Sequence, residues 1–258
     1  MSTCTYTVDD SGVAVMTIDN PPMNALATPV LKDIENTVDK ALADDAVRVV
    51  IFTGAGKAFI AGADIKEIEA LKTSDAGSTY LENGQNILNK IAHADKPFIA
   101  AINGFALGGG MELALACHMR IADESAQLGL PEIKLGVIPG YAGTQRTPRL
   151  IGTGRAYELI LSGNLISGVT AAEYGIVNRT APAGEAVETA KKLAKTIALK
   201  GRPAIKIAME TIRQGITMDL MAAQKYEREQ FGLLCETENK EEGIAAFLEK
   251  RNPDAKDS

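Results

Sequence analysis

Between Lys96 and Arg120 the chain carries a single Asp, Glu, Lys or Arg side chain, Glu112. It follows Gly108-Gly109-Gly110 and opens an otherwise apolar run that continues to Cys117. Taking a carboxylate out of water costs several kcal/mol unless a partner or a raised pKa compensates. A place at a helix N-terminus returns only about 0.3–1 kcal/mol from the backbone dipole. That gain does not account for a lone acid in such company, so Glu112 is read as a general acid or base. The glycines fit beside it, because without Cβ atoms their backbone N–H groups can approach a ligand closely. With a helix N-terminus behind them, such donors suit an oxygen that becomes negative. Alone the triplet is equally a tight strand-to-helix turn, and it matches neither the dinucleotide pattern G-x-G-x-x-G nor a phosphate loop.

Two further segments carry candidate chemistry. Ala61-Gly62-Ala63-Asp64-Ile65 is a run of small residues after the apolar Phe59-Ile60, a second possible backbone cradle or simply a loop closing a strand. Glu132 stands in Leu130-Pro131-Glu132-Ile133, before Gly136, Pro139 and Gly140. Two carboxylates in apolar surroundings can divide acid and base work once their environments separate their pKa values. By spacing alone the pair is only moderately specific.

Periodicity indicates the elements that must position these groups. Alternating runs around Asp9-Asp10-Ser11-Gly12 predict a hairpin over 4–18. Thr28-Pro29 opens a helix, with Pro at the first helical position, and Leu31, Ile34, Val38 and Leu42 give it one apolar stripe. Val47–Phe52 and Pro97–Ile102 read as buried strands, 80–92 as a helix, and Met119–Ala122 and Gln127–Leu130 as two more strands. Alternating strands and helices favour an α/β core with a mostly buried sheet. From about residue 185 only helical patterns remain, over 185–199, 202–214, 217–235 and 238–250.

With 258 residues, the chain can bury roughly three-quarters of its unfolded surface without a disulfide or metal. A formal charge of −6 argues against nucleic acid or an anionic membrane as partner. Cys4, Cys117 and Cys235 have no metal-like spacing and point to a reducing compartment. The N-terminus lacks the pattern of a signal peptide and no apolar run is long enough to span a bilayer, so a soluble, cytoplasmic protein is expected.

Three blocks resemble the signatures of the enoyl-CoA hydratase, or crotonase, family: Phe59 to Glu67, Asn103 to Ala114, and Pro131 to Gly140. The similarity runs in order and spacing over nearly the whole chain, to Ala246-Phe247-Leu248-Glu249-Lys250-Arg251. It implies an α/β fold, a spiral of repeated ββα units over 1–195 followed by a helical trimerisation region over 196–258. It implies a hydro-lyase of fatty acid metabolism acting on trans-2-enoyl-CoA, with the N–H groups of Ala63 and Gly109 as oxyanion hole and Glu112 and Glu132 bracketing a water. Asn24, Ala25, Ala61, Gly62, Ala63, Asp64, Ile65 and Gly140, with Phe247 and Lys250, are the implied substrate and coenzyme A contacts. No metal and no cofactor are implied, because coenzyme A belongs to the substrate. The implied assembly is a homotrimer or a dimer of trimers.

His118 and Tyr141 depart from the family pattern, the first where many relatives carry Asp, which would alter the groups around the site, the second where a smaller residue is common, which would reshape the acyl pocket; for both, packing is the first reading. His93 is read as a surface residue. Alternatives are another acyl-CoA reaction of the family (cyclic dienoyl-CoA hydration, isomerisation or thioester hydrolysis) or a non-catalytic or RNA-binding relative. Retention of both acids disfavours the isomerase, and the acidic charge disfavours RNA.

Overall fold

The computed structural model describes residues 2–253; Met1 and 254–258, the outer ends of the two expected domains, lie outside the described residues. The chain divides into two compact units, Met1–Ala194 and Lys195–Ser258.

The first unit begins with the expected hairpin. Strands β1 (Cys4–Val8) and β2 (Val13–Ile18) pair antiparallel, Cys4 opposite Ile18 and Val8 opposite Ala14. Asp9 closes the turn by accepting the Ser11 N–H at 2.9 Å and the Val13 N–H at 3.1 Å. Helix α1 (Thr28–Ala43) starts at Thr28, so Pro29 is its second residue rather than its first. Its missing N–H still falls among those with no partner inside the helix.

From there one unit repeats. Strands β3 (Val49–Gly54) and β4 (Ala58–Ile60) lead into α2 (Ile65–Ala70) and α3 (Ser74–Ala92). Strands β5 (Phe98–Ile102) and β6 (Phe105–Leu107) lead into α4 (Gly109–Ala116). Strands β7 (Met119–Asp123) and β8 (Gln127–Gly129) lead into a 3₁₀ turn at Pro131–Leu135 and α5 (Gly143–Ile151). In each repeat the first strand joins one sheet and the second joins another. Helix α6 (Thr153–Ser162), β9 (Ile166–Ser167), α7 (Gly168–Tyr174), β10 (Arg179–Ala181) and α8 (Ala186–Ala198) follow. The larger sheet has the order β1-β2-β3-β5-β7-β10, parallel from β2 onward, and the smaller β4-β6-β8-β9. This is the expected ββα spiral. Every residue of β3 and β5 is buried, as parallel strands covered on both faces require.

Asparagine side chains hold the corners between paired strands. Asn103 accepts the Gly54 N–H at 3.2 Å and donates to the Gly54 carbonyl at 2.9 Å. Asn24, buried and at φ 57, donates its amide to the carbonyls of Ala58 at 2.8 Å and Ala55 at 3.0 Å. These bonds replace the backbone ladder where β3 turns into β4.

The second unit contains α9 (Arg202–Gly215), α10 (Leu220–Leu234) and α11 (Glu238–Glu249). Asp219 and Thr237 cap the N-termini of α10 and α11 with their side-chain oxygens. Ile212, Ile216, Leu220, Met221 and Phe231 are exposed. Among the described residues no helix is long and apolar enough to cross a membrane.

Candidate active site

Glu112 lies in the first turn of α4, a helix buried along its whole length. The sequence GGMELALA has no polar face to present to water, and its glycines let it start hard against β4. A Cβ on Gly110 would lie 2.1 Å from the Ile60 carbonyl oxygen, so only glycine fits there. At the other end the buried Arg120 guanidinium donates to the carbonyls of Cys117 at 2.6 Å and Ala114 at 3.3 Å, and its Nε to Ile176 at 2.7 Å. A cation therefore meets the negative end of the helix dipole.

The Glu112 carboxylate is 1% exposed, and its Oε1 accepts the Gly143 N–H, the first of α5, at 2.6 Å. Burial, then the nearby Glu132 carboxylate, pushes Glu112 up to about 8. The Gly143 and Tyr141 N–H groups and the Arg146 charge act in the opposite direction. Glu132 sits on the 3₁₀ turn, half-buried, and burial raises its pKa as well. Its Oε2 is buried without a hydrogen-bond partner among the described residues.

Each carboxylate rests on a glycine. A Cβ on Gly143 would be 2.8 Å from Glu112 Oε1, and one on Gly108, itself at φ +50, would be 2.8 Å from Glu132 Oε1. Both acids line one cavity of about 610 Å³, with Ala61, Gly62, Ala63, Ile65, Gly109, Gly140 and Tyr141 also in its wall.

Two backbone N–H groups in that wall have no acceptor among the described residues. Leu26 bridges the chain around Ala63: its N–H donates to the Gly62 carbonyl at 2.8 Å, and its carbonyl accepts the Asp64 N–H at 3.2 Å. In a parallel bridge this turns the N–H and carbonyl of Ala63 itself to the opposite side. Gly109 opens α4, so its N–H lies in the first turn and has no intrahelical acceptor.

Not every sequence-predicted contact meets this cavity. Asp64 caps α2, accepting the Lys66 N–H at 2.8 Å, and does not line the wall. Asn24 and Ala25 are absent from it too: the Asn24 amide is spent on the β3–β4 corner, and the Ala25 carbonyl accepts from Asn20 at 2.9 Å. Phe247, exposed on α11, and Lys250, which ends that helix at φ 55, belong to the second unit. His118 Nδ1 accepts the Phe98 N–H at 3.0 Å where β5 begins. His93 is exposed at the end of α3. Sequence reasoning missed Gly143 and Arg146. The latter donates to Asn89 at 2.9 Å and to the Tyr141 carbonyl at 3.4 Å, and so ties α5 to α3. Neither stands out by composition, because the second contact of Glu112 lies 31 positions away along the chain.

Comparison with known proteins identifies the family. A family model described as enoyl-CoA hydratase/isomerase matches residues 9–258, and the chain belongs to that family. It is 47% identical over 248 residues to a probable enoyl-CoA hydratase of Bacillus subtilis, covering 96% of both chains. It is 40% identical to the short-chain-enoyl-CoA hydratase of Clostridium acetobutylicum, covering 93% of this chain and 92% of the relative. The crystal structure of enoyl-CoA hydratase from Bacillus anthracis superposes with a TM-score of 0.94 at 40% identity, over 99% of this chain and all of the other.

Proposed function

We propose that this enzyme adds water reversibly across the double bond of trans-2-enoyl-CoA to give 3-hydroxyacyl-CoA. The observation that carries the reading is the pair of raised carboxylates, Glu112 and Glu132, lining one cavity beside the N-terminus of α4. Hydration needs one base and one acid at once. Repulsion between two nearby buried carboxylates favours such a singly protonated pair, whose titration belongs to the pair rather than to either residue.

In this mechanism the Ala63 and Gly109 N–H groups receive the thioester oxygen and stabilise the enolate as it forms; one such donor is worth about 10²–10³ in rate. Glu112, whose charge the Gly143 N–H and Arg146 favour, takes a proton from the water that attacks C3. Glu132, without such a donor on Oε2, delivers its proton to C2. Dehydration reverses both transfers. Ala61, Gly62, Ile65 and Gly140 contact the substrate along the cavity wall. Asp64, Asn24 and Ala25, beside that wall, and Phe247 and Lys250 on a neighbouring subunit contact its coenzyme A portion. Coenzyme A arrives with the substrate, so no step uses a metal or separate cofactor.

The exposed apolar side chains of α9 and α10 support a homotrimer or a dimer of trimers, since burying such stripes gives an interface of the obligate kind. The cytoplasm is the proposed location. The test is the loss of the enoyl-thioester absorbance when the protein is mixed with crotonyl-CoA and water. Turnover with formation of 3-hydroxybutyryl-CoA is expected; an unchanged spectrum, or release of free thiol instead, would overturn the reading.

A further inference from the structure

Gly84 lies in the interior of α3, where glycine costs about 1 kcal/mol relative to alanine. The structure gives the reason. A Cβ there would fall 2.2 Å from Cε1 and 2.6 Å from Cζ of Tyr141. On the opposite side of the same ring, a Cβ on Gly109 would stand 3.4 Å from Cδ2. The tyrosine is 2% exposed and fills the space between α3 and the first residue of α4. Next to it the Tyr80 ring lies 6.0 Å away, tilted by 34°, and both rings line the cavity that holds Glu112 and Glu132. The Tyr80 and Tyr141 hydroxyls are both buried and interact with each other.

We propose that Tyr141, received by the notch at Gly84, is the specificity-determining residue that closes the acyl end of the cavity and confines the enzyme to short acyl chains. This rests on the hydratase reading of the same site. The ring stands against Gly109, so it limits the space available beyond a thioester held at that backbone. A crotonyl group ends before the ring, whereas an octenoyl chain would have to displace it. Displacement is obstructed, because α3 and α4 hold the ring from both sides. A small side chain at 141 would leave a void bounded by Gly84 and Gly109, continuous with the cavity and open to additional methylenes.

The test is the ratio of kcat/KM for trans-2-octenoyl-CoA to that for crotonyl-CoA in the wild type, Tyr141→Ala, Tyr141→Leu and Tyr141→Phe. Tyr141→Ala is expected to raise this ratio at least tenfold, and Tyr141→Leu by less. Tyr141→Phe, which keeps the ring, should hold it within about twofold of wild type. Leu keeps the buried site apolar, so the proposal stays testable if the Ala variant fails to fold. A ratio that does not change in folded Ala or Leu variants that still hydrate crotonyl-CoA overturns the proposal, as does a wild type that already prefers octenoyl-CoA. If the wild type hydrates neither substrate, the hydratase reading itself has failed.

Discussion

The two acids of the cavity stand on supports of opposite character. Glu112 rises from a helix with no exposed residue, anchored by Arg120 at one end and by the Gly143 N–H at its own carboxylate. Glu132 rises from a 3₁₀ turn that ends exposed, Leu135 at 56%, and runs into a segment where Ile138 is 63% exposed. The difference teaches how one site supplies two functions from one residue type. The donors on Glu112 offset part of the rise that burial imposes, whereas Glu132 has no donor on its Oε2 among the described residues, so the two carboxyls meet different environments.

The largest effect should come from removing either partner. Glu112→Gln and Glu132→Gln are each expected to lower kcat by at least ~10² while leaving a folded protein that binds the thioester. If either variant turns over crotonyl-CoA at near the wild-type rate, the division of labour is wrong. Next come the glycine seats. Gly143→Ala places a methyl where Glu112 Oε1 now lies 2.8 Å from the Cβ position, and a carboxylate displaced by about 1 Å should lose up to roughly 10² in kcat. Gly108→Ala adds backbone strain at φ +50, so it should lower both kcat and Tm, and comparing the two variants in both assays separates seat from strain.

A smaller effect concerns Arg146. Its charge holds Glu112 down, so Arg146→Gln should raise the carboxyl pKa further. The acid limb of the kcat/KM profile should then move to higher pH; an unmoved limb would show that the guanidinium serves only to tie α5 to Asn89. The smallest effect is on stability. Glu112 is raised in the fold from an ordinary 4.5 to about 8, so its contribution is complete below pH 4.5 and declines as pH rises through about 8. Thermal melts from pH 5 to 8.5 should therefore show Glu112→Gln gaining on the wild type as pH rises. A constant difference in Tm would mean that the carboxyl titrates normally.

The same contrast explains what the sequence revealed. Glu112 was legible because a solitary charge in an apolar run conflicts with its surroundings, and such a conflict signals function. Glu132 has ordinary neighbours and became notable only through the block around it. Strands β4 and β6 have three residues each, too few for a period of two to emerge. Helix α3 begins at Ser74 rather than near 80, because Thr73 caps it by accepting the Ala76 N–H. Between 143 and 181 the pattern was obscured by Pro148 inside α5 and by Gly152, Gly154 and Gly163 around α6. The four C-terminal helices were read within a few residues, since their apolar positions recur without interruption. Gly84 and Tyr141 stand 57 positions apart in sequence, and only packing makes them one feature.

Arg120 has a consequence for how the enzyme meets acid. Its partners are carbonyls rather than carboxylates, so protons cannot discharge them, and a guanidinium does not give up its own. Salt has little access to the contact, because burial excludes the screening ions. The helix is thus moored by a bond indifferent to the variable that switches its cargo. Activity should fade on acidification while α4 keeps its place, so that returning a mildly acidified sample to neutral pH restores turnover without refolding.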